Sequence, residues 1–166
     1  NNKENIAIFT SRVDRNLDLL INIWKNHIFT QDQNFKLLIT PNSVDLSQYN
    51  IFNRNFGSRK DLINDLLKSK ILLIPGHKSE LYCIAAEQAK ELCVPIITLG
   101  IGALSERVEH GKTGFIAKSE KEFASYAIDL FKNPTIFSEI KNNLLSLRGK
   151  NNWSDVANKL ILNILK

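Results

Sequence analysis

The chain has 166 residues, the size of one domain and enough to bury a hydrophobic core without disulfides or metals. Hydrophobic residues make up 43% and charged residues 23% of it, a balance that excludes disordered, collagen-like and coiled-coil chains. The net charge of +5 indicates either an anionic partner or a lysine-rich surface. Because the basic residues are scattered and form no stripe with aromatic residues, we expect no binding to nucleic acid.

Neither the apolar stretches nor the cysteines indicate a secreted or membrane-spanning chain. The longest mostly apolar stretch, residues 92–104, is too short to cross a bilayer and is interrupted by proline and glycine. Cys83 and Cys93 are too few for a disulfide framework and lack the spacing of a redox or zinc pair, so we expect reduced, buried cysteines in a cytoplasmic protein. No His, Cys and carboxylate set has metal-ligand spacing, and we expect no bound metal.

The chain begins Asn1-Asn2-Lys3 and contains no methionine, so we expect a piece of a larger protein in which residues 1–166 form a single domain. Frequent Asn, Ile and Lys favour a bacterial source with an AT-rich genome.

Short apolar runs alternate with segments of helical periodicity. Strands are predicted at 6–9, 35–39, 71–74, 94–99 and 115–116, with a further one near 49–52. Helices are predicted from Leu17 to Trp24 with Asp14 as a possible N-cap, and around 62–67, 84–92 and 103–108. Residues 120–166 are predicted as three helical pieces, separated at Pro134 and near Gly149. Apolar strands between helices predict an α/β fold, a Rossmann-like, doubly wound parallel sheet in a three-layer sandwich.

Ligands of such sheets bind beyond the carboxyl ends of the strands, which directs attention to the loops 11–16, 75–83 and 99–105. In the first loop, Arg12 and Arg15 lie between a strand and a helix N-terminus. Free N–H groups and guanidinium groups together would clamp a diphosphate. The alternative is two surface arginines, one of them paired with Asp14.

The other two loops carry further candidate groups. Glu87 lies among apolar neighbours, where it would accept hydrogen bonds from the two hydroxyls of a ribose; the alternative is an intrahelical pair with Lys90 or exposure to water. His77 is a possible proton donor or phosphate contact. Residues 100–103 allow a close backbone approach, but Ser105 stands where a dinucleotide fingerprint needs glycine, so no NAD site is expected.

Gly111-Lys112-Thr113 has the letters that end a phosphate-binding P-loop. Glu106 stands where that motif needs its first glycine, and a strand-like segment follows where the motif needs a helix. We therefore reject a P-loop here.

Taken together, these segments resemble the C-terminal nucleotide-sugar-binding domain of group 1, family 4-like, retaining glycosyltransferases with the two-domain GT-B fold, over nearly the whole chain. Residues 6–21 resemble its first strand, phosphate loop and helix, where the family has Gly-Arg followed by a Lys. Arg12 matches the family's Arg, Ser11 replaces the Gly, and Arg15 stands near the Lys.

Residues 79–95 resemble the family's Glu-x7-Glu motif. Glu87 matches the second Glu, which in the family holds the ribose, whereas the first falls on Ser79 with Glu80 one residue late. Tyr82 stands where the family has a small residue. Residues 102–115 resemble a Gly-Gly-x-Pro-Glu segment and the turn after it, with Ala103 for the second Gly, and residues 153–157 resemble the start of the closing helix.

The resemblance implies a hexosyltransferase donor domain that needs no metal or cofactor and acts in surface polysaccharide or lipopolysaccharide synthesis. The implied site residues fall into three groups: for the diphosphate Arg12, Arg15, Gly102 and Ala103; for the sugar and phosphates Ser79, Glu80, Leu81 and Tyr82; for the ribose Glu87. A separate N-terminal domain would bind the acceptor and allow peripheral membrane association, so the isolated domain should turn over poorly. Since the departures lie in the sugar half, the alternative is a non-catalytic nucleotide-sugar-binding relic.

Overall fold

A six-stranded parallel sheet organises the computed structural model, which describes residues 3–55, 57–149, 154, 158 and 161. The strands are β1 (Ile6–Ile8), β2 (Lys36–Ile39), β3 (Ile51–Asn53), β4 (Ile71–Leu73), β5 (Ile96–Thr98) and β6 (Gly114–Ile116). Their order across the sheet is β3-β2-β1-β4-β5-β6, and every neighbouring pair is parallel. The predicted Rossmann-like fold is therefore confirmed.

The helices cover both faces of the sheet. They are α1 (Leu17–Ile23), which continues as a π-helical turn at Trp24–Ile28, α2 (Arg59–Lys68), α3 (Ile84–Glu91), α4 (Leu104–Arg107), α5 (Glu120–Lys132) and α6 (Pro134–Leu147). α1 and α5 pack together, whereas α2 contacts β1 and α3 contacts β5. With right-handed crossovers, this connectivity places α1 and α5 on one face and α2 and α3 on the other.

The central strands consist of apolar residues because both of their faces are covered. Every residue of β1, β4 and β5 is buried. Phe9 is buried directly after β1 and donates its N–H to the carbonyl of Leu38 (2.8 Å). On the side of the sheet that α1 and α5 cover, the rings of Phe35 and Phe131 stack with their centroids 4.2 Å apart.

Two sequence predictions meet a different local structure. The strand near 49–52 begins only at Ile51, because a 3-10 turn occupies Ser47–Tyr49 and Asn50 takes a left-handed φ of +54°. Asp14 does not cap α1: the turn that joins the N–H of Arg15 to the carbonyl of Arg12 (3.0 Å) folds Asp14 back toward Arg12. The N-cap of α1 is instead Asn16, without a side-chain capping bond.

The helices predicted for the C-terminal third of the chain are confirmed where the structure describes them. The break at Pro134 is the first position of α6, and Asn133 accepts hydrogen bonds from the first amides of that helix.

The rejected P-loop is a turn before β6, closed by the N–H of Gly111 donating to the carbonyl of Gly114 (2.8 Å). The resemblance at 153–157 lies almost wholly outside the described residues. None of the described helices is both long enough and apolar enough to cross a membrane.

Gly114 allows β6 to pack closely on β5, since a Cβ there would stand 1.9 Å from the carbonyl oxygen of Ile96. We expect Gly114→Ala to lower the free energy of unfolding by at least about 2 kcal/mol. Gly111 has open space but a φ of +76°, so Gly111→Ala is the control and should cost about 1 kcal/mol through backbone strain alone. Urea unfolding measures both; equal losses would contradict the close contact of the two strands.

Candidate functional site

A cleft opens at the carboxyl ends of β1 and β4, where the connections that leave the two strands run in opposite directions across the sheet. From β1 the chain crosses to β2 on one side and from β4 to β5 on the other, so the loops that follow these two strands diverge. The cleft has a volume of about 470 Å³. Its lining residues are Thr10, Ser11, Arg12, Arg15, Ser79, Glu80, Leu81, Tyr82, Cys83, Ile84, Ala85 and Gln88. Six of the nine predicted site residues therefore meet in one place.

Arg15 joins the two loops. Its side chain is only 17% exposed, its Nη1 lies 3.0 Å from Nδ1 of His77, and its Nε lies 3.7 Å from a carboxylate oxygen of Glu80. The N–H of Ser79 donates to the same Nδ1 (3.1 Å). Since both neighbours of Nδ1 are donors, this nitrogen is the acceptor and the ring proton is assigned to Nε2. His77 therefore holds Arg15 as a neutral imidazole.

Arg12 is placed very differently. Its side chain is 74% exposed and forms a two-pronged contact with Asp14, with Nε 3.0 Å and Nη2 2.7 Å from the carboxylate oxygens. This is the pairing that the alternative sequence interpretation anticipated for one of the two arginines. Exposed pairs of this kind are weak, so an anion that enters the cleft can exchange for Asp14.

Gly102 and Ala103 were predicted to bind the diphosphate, and the structure places both against the β4–α3 loop. Gly102 has a φ of +67°, and a Cβ on it would stand 2.3 Å from the carbonyl oxygen of His77. The N–H of Ala103 already donates to the carbonyl of Glu80 (2.9 Å). Both residues lie against the β4–α3 loop and neither lines the cleft, so their role toward a diphosphate stays a prediction.

The start of α3 forms one wall of the cleft. Within the described residues, the N–H groups of Tyr82, Cys83 and Ile84 have no hydrogen-bond acceptor, as is usual at a helix N-terminus. Such amides are suited to binding an anion. Cys83 begins the helix with a left-handed φ of +61°, and burial raises the pKa of its thiol to about 11, so the thiol stays protonated at neutral pH.

The structure places Gln88, and not Glu87, at the cleft. Glu87 does not line the cleft: its Oε1 lies 2.8 Å from Nζ of Lys90, which is the intrahelical pair considered as the alternative. Gln88 lines the cleft in its place. Because α3 begins at Ile84, a rotation of about 100° per residue turns Gln88 toward the cleft and Glu87 away from it. Glu80 and Gln88 have the same eight-position spacing as Ser79 and Glu87, displaced by one residue.

Sequence reasoning also missed Thr10, which carries no motif. Its hydroxyl is buried beside the cleft and has no hydrogen-bond partner among the residues that the structure describes. A buried hydroxyl in that state carries a desolvation cost and is available to a ligand. Across the same described residues, no group of three or more His, Cys, Asp or Glu side chains could hold a metal ion.

The unpaired hydroxyl of Thr10 has a measurable consequence. We expect Thr10→Val to raise the free energy of unfolding of the ligand-free protein by up to about 1 kcal/mol, because the isosteric change removes an unsatisfied polar group. Thr40→Val is the matched control. The hydroxyl of Thr40 donates to the carbonyl of Ser11 (2.6 Å), so its loss should destabilise by about 1 kcal/mol. Urea unfolding distinguishes the two, and a destabilised Thr10→Val would show that the hydroxyl is satisfied.

Solved structures share this fold. A TarM variant of S. aureus in complex with fondaparinux, alpha-GlcNAc-glycerol and UDP superposes with a TM-score of 0.75 at 16% identity, covering 96% of this chain and 36% of that one. HepE of Anabaena in complex with UDP and glucose gives 0.74 at 16% identity, covering 98% and 48%. The C-terminal domain of LpcC, a group 1 family protein of Francisella tularensis, gives 0.67 at 17% identity, covering 86% and 82%. At these identities the similarity shows the fold.

Sequence comparisons add the family. A curated relative, the chitobiosyldiphosphodolichol beta-mannosyltransferase of Debaryomyces hansenii, is 34% identical over an alignment 77 residues long, with 40% of this chain and 16% of that protein covered. The chain thus spans a small part of this relative and less than half of the TarM and HepE chains. The sequence profile described as "Glycosyl transferases group 1" matches residues 1–146. The chain therefore belongs to the group 1 glycosyl transferases, as its motifs indicated.

Proposed function

We propose that this chain is the donor-binding half of a hexosyltransferase that uses a nucleotide-diphosphate sugar. One observation carries the proposal: two arginines and the free amides of a helix N-terminus meet in the cleft at the switch point of the sheet, in a chain of this family. Positive charge and N–H donors concentrated in this way suit a diphosphate. HepE, which has the same fold, was crystallised with UDP-glucose, and this supports a nucleotide sugar as the ligand.

The chemistry follows from the charge that develops when the sugar leaves. As the bond between the sugar and the diphosphate breaks, negative charge grows on the departing phosphate oxygen. Arg15, fixed between His77 and Glu80, and Arg12, free to leave Asp14, would neutralise that charge. Glu80 lies at the cleft with Arg15 and would accept hydrogen bonds from sugar hydroxyls.

The ribose contact is proposed for Gln88, while the ribose role expected for Glu87 from the family motif stays a prediction. Gln88 lies four residues after Ile84, about 6 Å further along α3. A diphosphate at the start of α3 would therefore leave the nucleoside beside Gln88. A carboxamide offers an acceptor oxygen and two N–H donors to the ribose hydroxyls, in place of the two acceptor oxygens of a carboxylate.

The wider biological setting is also part of the proposal. We propose a bacterial protein at the cytoplasmic side of the membrane, in which a second domain binds the acceptor and mediates peripheral membrane association. The product would enter surface polysaccharide or lipopolysaccharide. This chain covers only 48% of the HepE chain, and the remaining half of HepE supports a second domain of similar size. The isolated chain would then bind donor but transfer sugar poorly, and the absence of a required metal, cofactor or nucleic acid stays a prediction.

The contact of Glu80 with Arg15 favours a second candidate function. If that pair persists when the nucleotide binds, Glu80 is withheld from the sugar, and the domain binds nucleotide sugars without transferring them. Turnover of a nucleotide sugar by the longer protein, with water or any acceptor, distinguishes transfer from binding alone.

Calorimetric titration with UDP, GDP, ADP and CMP, and then with their sugar conjugates, tests donor binding. We expect one nucleoside diphosphate to bind, and Arg15→Gln to weaken it at least about tenfold, because a charged hydrogen bond to phosphate is lost. Lys36→Gln, exposed at the amino end of β2 and so at the opposite edge of the sheet from the cleft, is the control and should change the affinity less than about twofold. Absence of binding, or equal effects of the two substitutions, would contradict a diphosphate clamp.

A second titration locates the ribose. We expect Gln88→Ala to weaken nucleoside diphosphate binding about fivefold, through the loss of neutral hydrogen bonds. Glu87→Gln should have a smaller effect on the same ligand, because Glu87 does not line the cleft. The reverse order would assign the ribose contact to Glu87.

A further inference from the structure

The hydrogen bond that holds Arg15 at the cleft is made by a neutral group. Nη1 of Arg15 lies 3.0 Å from Nδ1 of His77, and the N–H of Ser79 donates to the same nitrogen (3.1 Å). Because both neighbours of Nδ1 are donors, the ring accepts there, carries its single proton on Nε2 and has no net charge. The bond therefore fixes the guanidinium group without cancelling its positive charge.

The other contact of Arg15 is weaker. The carboxylate oxygen of Glu80 lies 3.7 Å from Nε of Arg15, which is longer than a hydrogen bond. The remaining nitrogen of the guanidinium group, Nη2, has no acceptor in the described part of the chain. Before a ligand arrives, Arg15 is thus oriented by His77 but still has an N–H group to donate, and its charge is only partly compensated.

Arg12 shows the opposite arrangement in the same cleft. Asp14 holds it with two carboxylate oxygens, 3.0 Å from Nε and 2.7 Å from Nη2, so its charge is already paired. That pair is exposed and exchanges easily, whereas the side chain of Arg15 is only 17% exposed, where water screens charges less. A carboxylate in the place of His77 would therefore compete with a phosphate more strongly than Asp14 does.

We propose that His77 is a positioning residue for the donor, which orients Arg15 through a neutral acceptor and so leaves the charge of Arg15 to the diphosphate. This inference rests on the proposed donor-binding function. It gives His77 no contact with the ligand, in agreement with its position outside the lining of the cleft. His77 acts on the ligand through Arg15.

Substitutions at His77 separate the acceptor from its charge. Nδ1 of histidine is bonded to Cγ, as are the side-chain oxygens of asparagine and aspartate, so both residues can place an acceptor where Nδ1 lies. His77→Asn keeps a neutral acceptor, His77→Asp adds a negative charge to it, and His77→Ala removes it. Hydrogen bonds between charged groups are about twice as strong as neutral ones, so an aspartate would hold Arg15 more tightly than the imidazole does.

Calorimetric titration of the wild-type chain and these variants with UDP, GDP and ADP tests the inference. For the nucleotide that the wild type binds, we expect His77→Asn to stay within about twofold of the wild-type affinity, because the orientation and the charge of Arg15 are both kept. His77→Ala should weaken binding about fivefold through the loss of the orienting hydrogen bond. His77→Asp should weaken it at least about tenfold, because the diphosphate must displace a carboxylate.

Urea unfolding distinguishes this role from a merely structural one. His77→Asp should withstand more urea than His77→Ala, because it keeps an acceptor for Arg15 and Ser79, although it should bind the nucleotide more weakly. Lys78→Gln is the matched control for charge. Lys78 is exposed in the same loop and does not line the cleft, and its substitution also lowers the charge of the loop by one unit. It should change the affinity less than about twofold.

The inference would be overturned by a His77→Asp variant that binds like His77→Asn, by a His77→Asn variant as weak as His77→Ala, or by a Lys78→Gln variant as weak as His77→Asp. Stabilities that follow the same order as the affinities would also overturn it, because His77 would then act only on folding. A wild type that binds none of the three nucleotides would overturn the proposed function itself, and this inference with it.

Discussion

The cleft depends on one constraint, which is that the charge of Arg15 must be compensated by the loop opposite. A guanidinium group stays protonated at any physiological pH, and burial of most of its side chain requires acceptors within reach. His77 and Glu80 supply them from the β4–α3 loop, and the backbone of Glu80 is held in turn by Ala103. Arg15 thus joins two loops, and the backbone bond of Ala103 joins the third loop to them. The side-chain amide of Asn16 adds a further bond, to the carbonyl of Gly76.

The two arginines of the cleft therefore have different tasks. Arg15 is fixed, so it sets the place where negative charge is favourable before any ligand arrives. Arg12 is exposed and bound to Asp14 by a pair that water and salt screen, so it can change partner at little cost. One preorganised and one adaptable cation would let the site hold a phosphate firmly and still follow it as its charge changes.

The sequence was informative where burial alone decides the structure. The continuous apolar residues around Ile71 and Ile96 predicted central parallel strands, and from them the edge at which the loops gather; Arg12 and Arg15 were placed at that edge correctly. Which residues of α3 face the cleft could not be predicted in this way. It depends on the residue at which the helix begins, and this is set by the left-handed backbone of Cys83, a conformation that only the surrounding structure imposes on such a residue.

The glycine-rich third loop could not be interpreted from its sequence alone for a related reason. A small residue indicates that another group packs closely against the backbone, but not whether that group belongs to a ligand or to another part of the chain. At Gly102 the closely packed group is the carbonyl of His77. The turn at Gly111 was recognised correctly because its flanking strand and helix contradicted the alternative, which shows that context decides such motifs more reliably than their letters.

The burial of Cys83 has a practical side. It and Cys93 are the two cysteines of the sequence, both are inside the protein, and the raised pKa of the Cys83 thiol keeps it out of the reactive thiolate form. A cysteine introduced at an exposed position such as Val44, in the loop between β2 and β3, would then be the one site open to a maleimide dye. The chain can be labelled site-specifically for fluorescence without first removing its native thiols.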